Sequence, residues 1–208
     1  MPPVDALLTF FIASVLLALA PGPDNLFVLA QSALYGRNAG LCITLGLCTG
    51  LLVHTAAVAL GIAALVLASA TAFNSLKILG ALYLLYLAWR AFRADTQGDG
   101  ARPAARLTAA GYYLRGIIMN VSNPKVAAFF LAFLPQFASP AHGPVAGQIV
   151  LLGALFMLAT LLVFGVVALL AGRLGAWLGR TPAAVLLMRR VAGAVLAGLA
   201  VKLLLTTR

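Results

Sequence analysis

Apolar residues run along this chain in long stretches divided by short breaks of polar, glycine and proline residues. About six of these stretches reach the roughly 20 residues that a helix needs to cross a bilayer. They cover residues 6–33, 39–69, 72–92, 111–135, 145–171 and 184–205. The first two run long, which suggests tilt or a re-entrant break rather than extra spans. The expected fold is an all-α integral membrane protein. One substantial polar linker, Arg93 to Thr108, carries Asp95, Gln97, Asp99, Arg102, Pro103 and Arg106. Its glycine, proline and charge mark a solvated loop. It sets residues 1–93 as a first three-helix repeat, 94–110 as a cytoplasmic linker and 111–208 as a second repeat, all within a single membrane domain.

Composition supports the same class. The chain is 63% hydrophobic and 9% charged, against about 25% charged residues in a soluble domain. So few charges do not cover a water-facing surface. The net charge of +10 reports cytoplasmic loops beside anionic headgroups rather than nucleic acid. Ten of the 14 Lys and Arg residues lie in or beside connections 1–2, 3–4 and 5–6, and only Lys77, Lys202 and Arg208 lie in the alternate set. By the positive-inside rule both termini face outward, and the remaining base, Lys125, is intramembrane. Three helices per half invert the second half relative to the first, as in the inverted repeats of secondary transporters. The apolar run ending in Leu19-Ala20 resembles a signal-peptide cleavage site. No Lys or Arg precedes it, however, and the run resumes at Leu26, so a retained helix is expected.

The chemistry concentrates at two interruptions. Ala20-Pro21-Gly22-Pro23-Asp24-Asn25 breaks the first span, and Ser122-Asn123-Pro124-Lys125 breaks the fourth. Prolines around a glycine cannot continue a regular helix. Pro23 and Pro124 suit the first position of a new helix, and Asn123 suits the cap before it. Each break then offers free backbone N–H groups at a half-helix N-terminus, an attractive place for an anion. Asp24 is the only intramembrane acid, and acids at such depth are expensive unless they work. One acid and one base match the two charges of an amino acid. The broken first and fourth helices are expected to meet near the midplane as the binding site of a secondary transporter. Pro21, Gly22, Pro23, Asp24, Asn25, Asn120, Asn123, Pro124 and Lys125 are its candidate residues. The alternative is that Asp24 and Lys125 simply pair and lock two helices together.

Gly46, Gly50 and His54 recur every fourth residue in the second span, with Gly61 a heptad further. This is a small-residue face for close helix packing. His54 and Asp24 are candidates for a proton relay, since imidazole titrates near neutrality; the alternative for His54 is a hydrogen bond between helices. Tyr83, Tyr86 and Trp89 before Arg90 and Arg93 read as an interfacial anchor. Cys42 and Cys48 point about 120° apart on a helix and form neither a disulfide nor a metal pair. No phosphate-binding loop and no clustered His, Cys or Asp set occurs in the sequence, so neither cofactor nor metal is expected.

These motifs together resemble the LysE/RhtB family (lysine exporter/homoserine-threonine resistance type) of amino-acid exporters. The resemblance rests on Pro21-Gly22-Pro23-Asp24-Asn25-Leu26, on Gly36-Arg37-x-x-Gly40 with Gly46-x-x-x-Gly50, on Lys77-x-x-Gly80-x-x-Tyr83, and on Asn123-Pro124-Lys125 running into Phe129–Phe137. It implies a bacterial inner-membrane exporter that moves amino acids or small derivatives outward, in exchange for protons. Competing classes are an exporter of another solute or cation, a membrane hydrolase and a non-transporting subunit. A cation exporter would want several converging acids, and a hydrolase would want a nucleophile beside His54. Small-residue faces permit a homodimer.

Overall fold

The computed structural model describes residues 1–20, 22–68, 70–93, 106–180 and 182–205. It is all helical, with no strand among the described residues. Eight α-helices follow in order: α1 (Val4–Leu19), α2 (Pro23–Tyr35), α3 (Arg37–Ala68), α4 (Ala70–Arg93), α5 (Ala109–Val121), α6 (Pro124–Ala128), α7 (Val145–Arg180) and α8 (Pro182–Leu205). Most of the expected linker, residues 94–105, lies outside the described residues, as does Pro21.

Among the described residues, two helices are by themselves long and apolar enough to cross a membrane, Arg37–Gly61 within α3 and Val145–Ala171 within α7. Two bent pairs bring the candidates among the described residues to four where each pair is one broken span. α1 and α2 meet at 59°, and α5 and the Pro124–Phe137 segment at 47°. The first and fourth expected spans are therefore broken where proline removes a backbone donor. α4 and α8 have 24 residues each and occupy the third and sixth expected positions. α7 runs nine residues past the expected end at 171.

Local chemistry sets the ends. Gly22 caps α2 in an extended conformation, with Pro23 in the first turn. Gly36 closes α2 with φ of 89°, the left-handed region that glycine enters freely, and α3 starts at the next residue. Thr108 caps α5, its Oγ1 accepting from the Gly111 amide. Beyond α6 the chain widens into a π turn, Phe129–Phe133, then tightens into a 3-10 turn, Leu134–Phe137. Pro135 cannot donate to the carbonyl a turn earlier, which breaks the α register. Gln136 Nε2 donates instead to the Ala132 carbonyl.

The packing is reciprocal between the halves. α1 and α2 lie against α7, α5 lies against α3, α3 lies against α7, and α4 lies against α8. The α3–α5 crossing is backbone to backbone: a Cβ on Gly46 would collide with the Tyr113 carbonyl and the Gly116 Cα, and one on Gly116 with the Ile43 carbonyl. The outward faces carry large apolar side chains such as Leu8, Ile12, Leu60, Leu79, Leu162 and Val166, the surface expected against lipid. One core is built on Phe10, Phe129, Phe130, Phe133 and Phe156, and a second on Val28, Ile43, Leu47, Tyr112 and Phe164.

Candidate functional site

The two breaks meet. Asn123 caps α6 by accepting from the Lys125 amide through Oδ1 (3.0 Å). Its other amide arm donates from Nδ2 to Asp24 Oδ2 at 2.8 Å. One side chain therefore caps the fourth span and holds the acid of the first. Asp24 is 4% exposed, and its second oxygen, Oδ1, is buried without a partner. The carboxylate thus keeps one acceptor vacant at the first turn of α2, where free backbone donors converge.

Lys125 faces a different group from the one expected. Its Nζ donates to the carbonyls of Ala20 (3.0 Å) and Leu17 (3.2 Å). Asn25 Nδ2 donates to the Ala18 carbonyl at 2.6 Å. Three carbonyls at the C-terminal end of α1 are thus satisfied by side chains from beyond the breaks, where a cation also meets the negative end of the helix dipole. No hydrogen bond or ion pair joins Asp24 to Lys125 among the described residues. The two side chains make no direct contact; Asn123 bonds the Asp24 carboxylate and the Lys125 backbone amide instead. Gly22 leaves room for the base, since a Cβ there would lie 3.1 Å from Lys125 Nζ.

α3 contributes the next contacts. A Cβ on Gly50 would lie 2.7 Å from Asn120 Oδ1. His54 Nε2 lies 3.2 Å from the Asn120 carbonyl oxygen, and its ring is 5.6 Å from Phe130. Gly46, Gly50 and His54 therefore do share the face that meets the fourth span. Gly61 does not join them: it is exposed, and a Cβ there would meet no described atom within 4 Å. His54 reaches Asn120 rather than Asp24.

The expected residues include Asp24, Asn25 and Asn120 but leave out Gln31, Ser32 and Tyr112, which share one feature with them. Asp24 Oδ1, Asn25 Oδ1, Gln31 Oε1, Ser32 Oγ, Tyr112 OH and Asn120 Oδ1 are the buried side-chain polar atoms without a partner among the described residues. All six lie on α2 or α5. An unsatisfied buried polar group costs about 1–3 kcal/mol. Gln31 repeats the position of Asp24 two turns on, a spacing readable from sequence.

Toward the opposite end, aromatic rings close the bundle. Phe129 packs against Phe133 (4.8 Å between centroids), Phe156 (5.1 Å) and Phe10 (5.7 Å), and Phe10 against Phe137 (5.2 Å). Beyond them lies an open cavity of about 350 Å³ lined by Asp5, Thr9, Gln136, Phe137 and Lys202. Lys202 Nζ sits 4.9 Å from the Phe137 ring centre. The N-terminal ammonium donates to the His142 carbonyl at the same end. No group of three metal-ligating side chains occurs among the described residues.

Residues 15–207 match the family model of the LysE type translocator. The chain is 31% identical over 194 residues to an uncharacterized membrane protein of Vibrio cholerae, covering 92% of each chain. It is 32% identical over 169 residues to the homoserine/homoserine lactone efflux protein of Salmonella typhimurium, covering 81% of this chain and 82% of that one. It is also 32% identical over 131 residues to the leucine efflux protein of Klebsiella pneumoniae, covering 62% of each. No solved structure matches it. An all-α membrane protein whose broken first and fourth spans meet through Asp24 and Asn123, the chain belongs to the LysE type translocator family.

Proposed function

We propose that the protein is a secondary exporter of small neutral α-amino acids or their derivatives across the cytoplasmic membrane, working by proton antiport. The observation that carries the reading is the vacant Oδ1 of Asp24, a buried acceptor held in place by Asn123 at the junction of two half-helices. A substrate ammonium supplies the missing donor. Its carboxylate meets the α2 N-terminus and the third donor of the Lys125 ammonium, two of whose donors serve α1. Once the substrate leaves, a proton on Asp24 keeps the acid neutral during the return step, which makes the exchange obligatory. His54, bonded at Asn120, is the second relay candidate. The efflux proteins named among the relatives handle homoserine and leucine. Both have uncharged side chains, which suits a site with a single acid.

The same reading takes the chain as six spans in two inverted repeats, 1–93 and 111–208. Support comes from each broken first helix lying on the second helix of the other half. It places both termini outside, supported by the contact of the N-terminal ammonium with the His142 loop and by Lys202 lining the same cavity. The rings around Phe129 then seal the outer side of the site, and the cavity beyond them opens to the release side. Small-residue faces leave a homodimer open to measurement. The deciding experiment is efflux of labelled leucine and homoserine from preloaded proteoliposomes, with and without an imposed pH gradient, for wild type and Asp24→Asn. Gradient-driven efflux that disappears in Asp24→Asn is the expected result. Efflux that ignores the gradient would sink antiport, and unchanged efflux by the variant would remove Asp24 from the mechanism.

A further inference from the structure

Several buried hydroxyls and amides elsewhere among the described residues are satisfied. Ser14 donates to the Phe10 carbonyl, Thr44 to Gly40 and Thr55 to Leu51. Gln148 donates to the carbonyls of Ser139 and Gly143. Against that background, Gln31, Ser32 and Tyr112 stand out: each is 3–4% exposed, and each keeps a buried polar atom with no partner. None of them touches the junction at Asp24. They lie toward the far end of α2 and at the start of α5, the end where the bundle shows Gly36 and Thr108.

Their placement along α2 is ordered. Gln31 and Tyr35 fall within about 20° of Asp24 around the helix axis, and Ser32 sits one residue from that line. Tyr35 meets Tyr112 of α5 with ring centres 6.4 Å apart. Ser32 packs into the space that Gly40 of α3 leaves; a Cβ on Gly40 would collide with Ser32 Oγ. A purely structural seam in a membrane protein would carry Leu or Ala at these places, or hydroxyls turned back to their own helix. Here the three side chains are buried and their hydrogen-bonding atoms have no partner among the described residues. Water or a polar solute entering beside the inner half of α2, which packs on α3, α5 and α7, would offer these atoms the partners they lack.

We propose that this seam is the inner arm of the translocation path, in which Gln31, Ser32 and Tyr112 bind the polar head of a small zwitterionic solute on its way to Asp24. Closure of the seam strips the solute from these groups, and its opening restores their hydrogen bonds. They form a second, weaker station about two turns of α2 away from the Asp24–Asn123 junction. The proposal extends the exporter reading, but its first test does not depend on which solute moves.

That test places single cysteines in a background with Cys42 and Cys48 replaced by alanine. Gln31→Cys and Ser32→Cys are compared with Ser14→Cys and Thr55→Cys, whose native hydroxyls are satisfied. An impermeant thiol reagent is applied to inside-out and right-side-out vesicles, with Arg37→Cys marking the side of the α2–α3 connection. Cysteines at 31 and 32 should react from the Arg37 side at least about tenfold faster than those at 14 and 55, because the seam opens and the helix packing does not. Equal rates at all four positions would overturn the proposal. A second measurement uses Gln31→Leu and Tyr112→Phe, which remove the unpartnered polar atoms and keep most of the side-chain volume. Each should raise the internal leucine or homoserine concentration for half-maximal efflux about tenfold, the loss of one good hydrogen-bond partner. Unchanged half-saturation, with wild-type efflux present, would equally overturn it. If neither solute moves in wild type, the exporter reading fails, and the labelling pattern still decides the seam.

Discussion

Asn123 holds Asp24 with a 2.8 Å bond across 99 positions of sequence, while its other amide atom caps α6. The two tasks can be separated. Asn123→Ala removes both and should lower the folding free energy by about 1–2 kcal/mol, the usual loss of a helix cap, with loss of efflux. Asn123→Ser keeps a good cap on a side chain too short to present the same amide to Asp24. Its thermal midpoint in detergent should stay near wild type while efflux falls. A serine variant that transports normally would leave Asn123 as a cap alone.

Lys125 is where local structure and site chemistry overlap. Lys125→Ala leaves the Ala20 carbonyl without its donor and the Leu17 carbonyl with the Ala20 amide alone, a loss of about 1.5–3 kcal/mol for bonds to a charged group. A lowered midpoint in thermal unfolding measures that effect. The same variant should reduce efflux of an amino acid more than efflux of its decarboxylated amine. Equal losses for the two solutes would confine Lys125 to holding the end of α1.

How much of this was legible in the sequence depends on how local each cause is. The breaks were readable because proline lacks a donor wherever it sits, and Asn123 was readable as a cap because its partner is two residues away. The Asp24–Asn123 bond was not, since it depends on how two half-helices rotate against each other. The two Lys125 bonds to α1 were not legible for the same reason: they depend on a flexible four-carbon stem reaching back across the break. Gln31 carried a signal that went unused, its two-turn spacing from Asp24. Ser32 and Tyr112 carried none, because serine and tyrosine within apolar runs are ordinary until their partners are known to be missing.

The glycines of α3 separate a crossing from a coincidence of spacing. Gly46→Ala puts a methyl into the Tyr113 carbonyl and the Gly116 Cα, with backbone on both sides and nothing able to yield cheaply. Overpacking of this kind costs about 1–3 kcal/mol, so its thermal midpoint should drop, and Gly116→Ala should behave alike. Gly61→Ala meets open space among the described residues and gains helix propensity of up to about 1 kcal/mol. Its midpoint should hold or rise. A large drop at Gly61 would mean that a second chain or a segment outside the described residues packs there.

The ring cluster offers the last separation. Phe129 is fully buried and touches Phe10, Phe130, Phe133 and Phe156, just where the helix changes to a π turn. Truncating a buried phenylalanine costs about 3–5 kcal/mol through lost contacts and the cavity left behind, so Phe129→Ala should be the least stable variant of this set. Phe137 is only partly buried and sits on the cavity side of the same rings. Phe137→Ala loses ring contacts with Phe10 and Phe133 and should lower the midpoint by less than Phe129→Ala does. If these rings are the outer seal, it should also raise leakage of preloaded solute in the absence of a pH gradient. Tight vesicles with the Phe137 variant would place the seal deeper, at Phe10 and Phe129, and Phe10→Leu, which keeps most of the volume and removes the ring, would then be the variant that leaks.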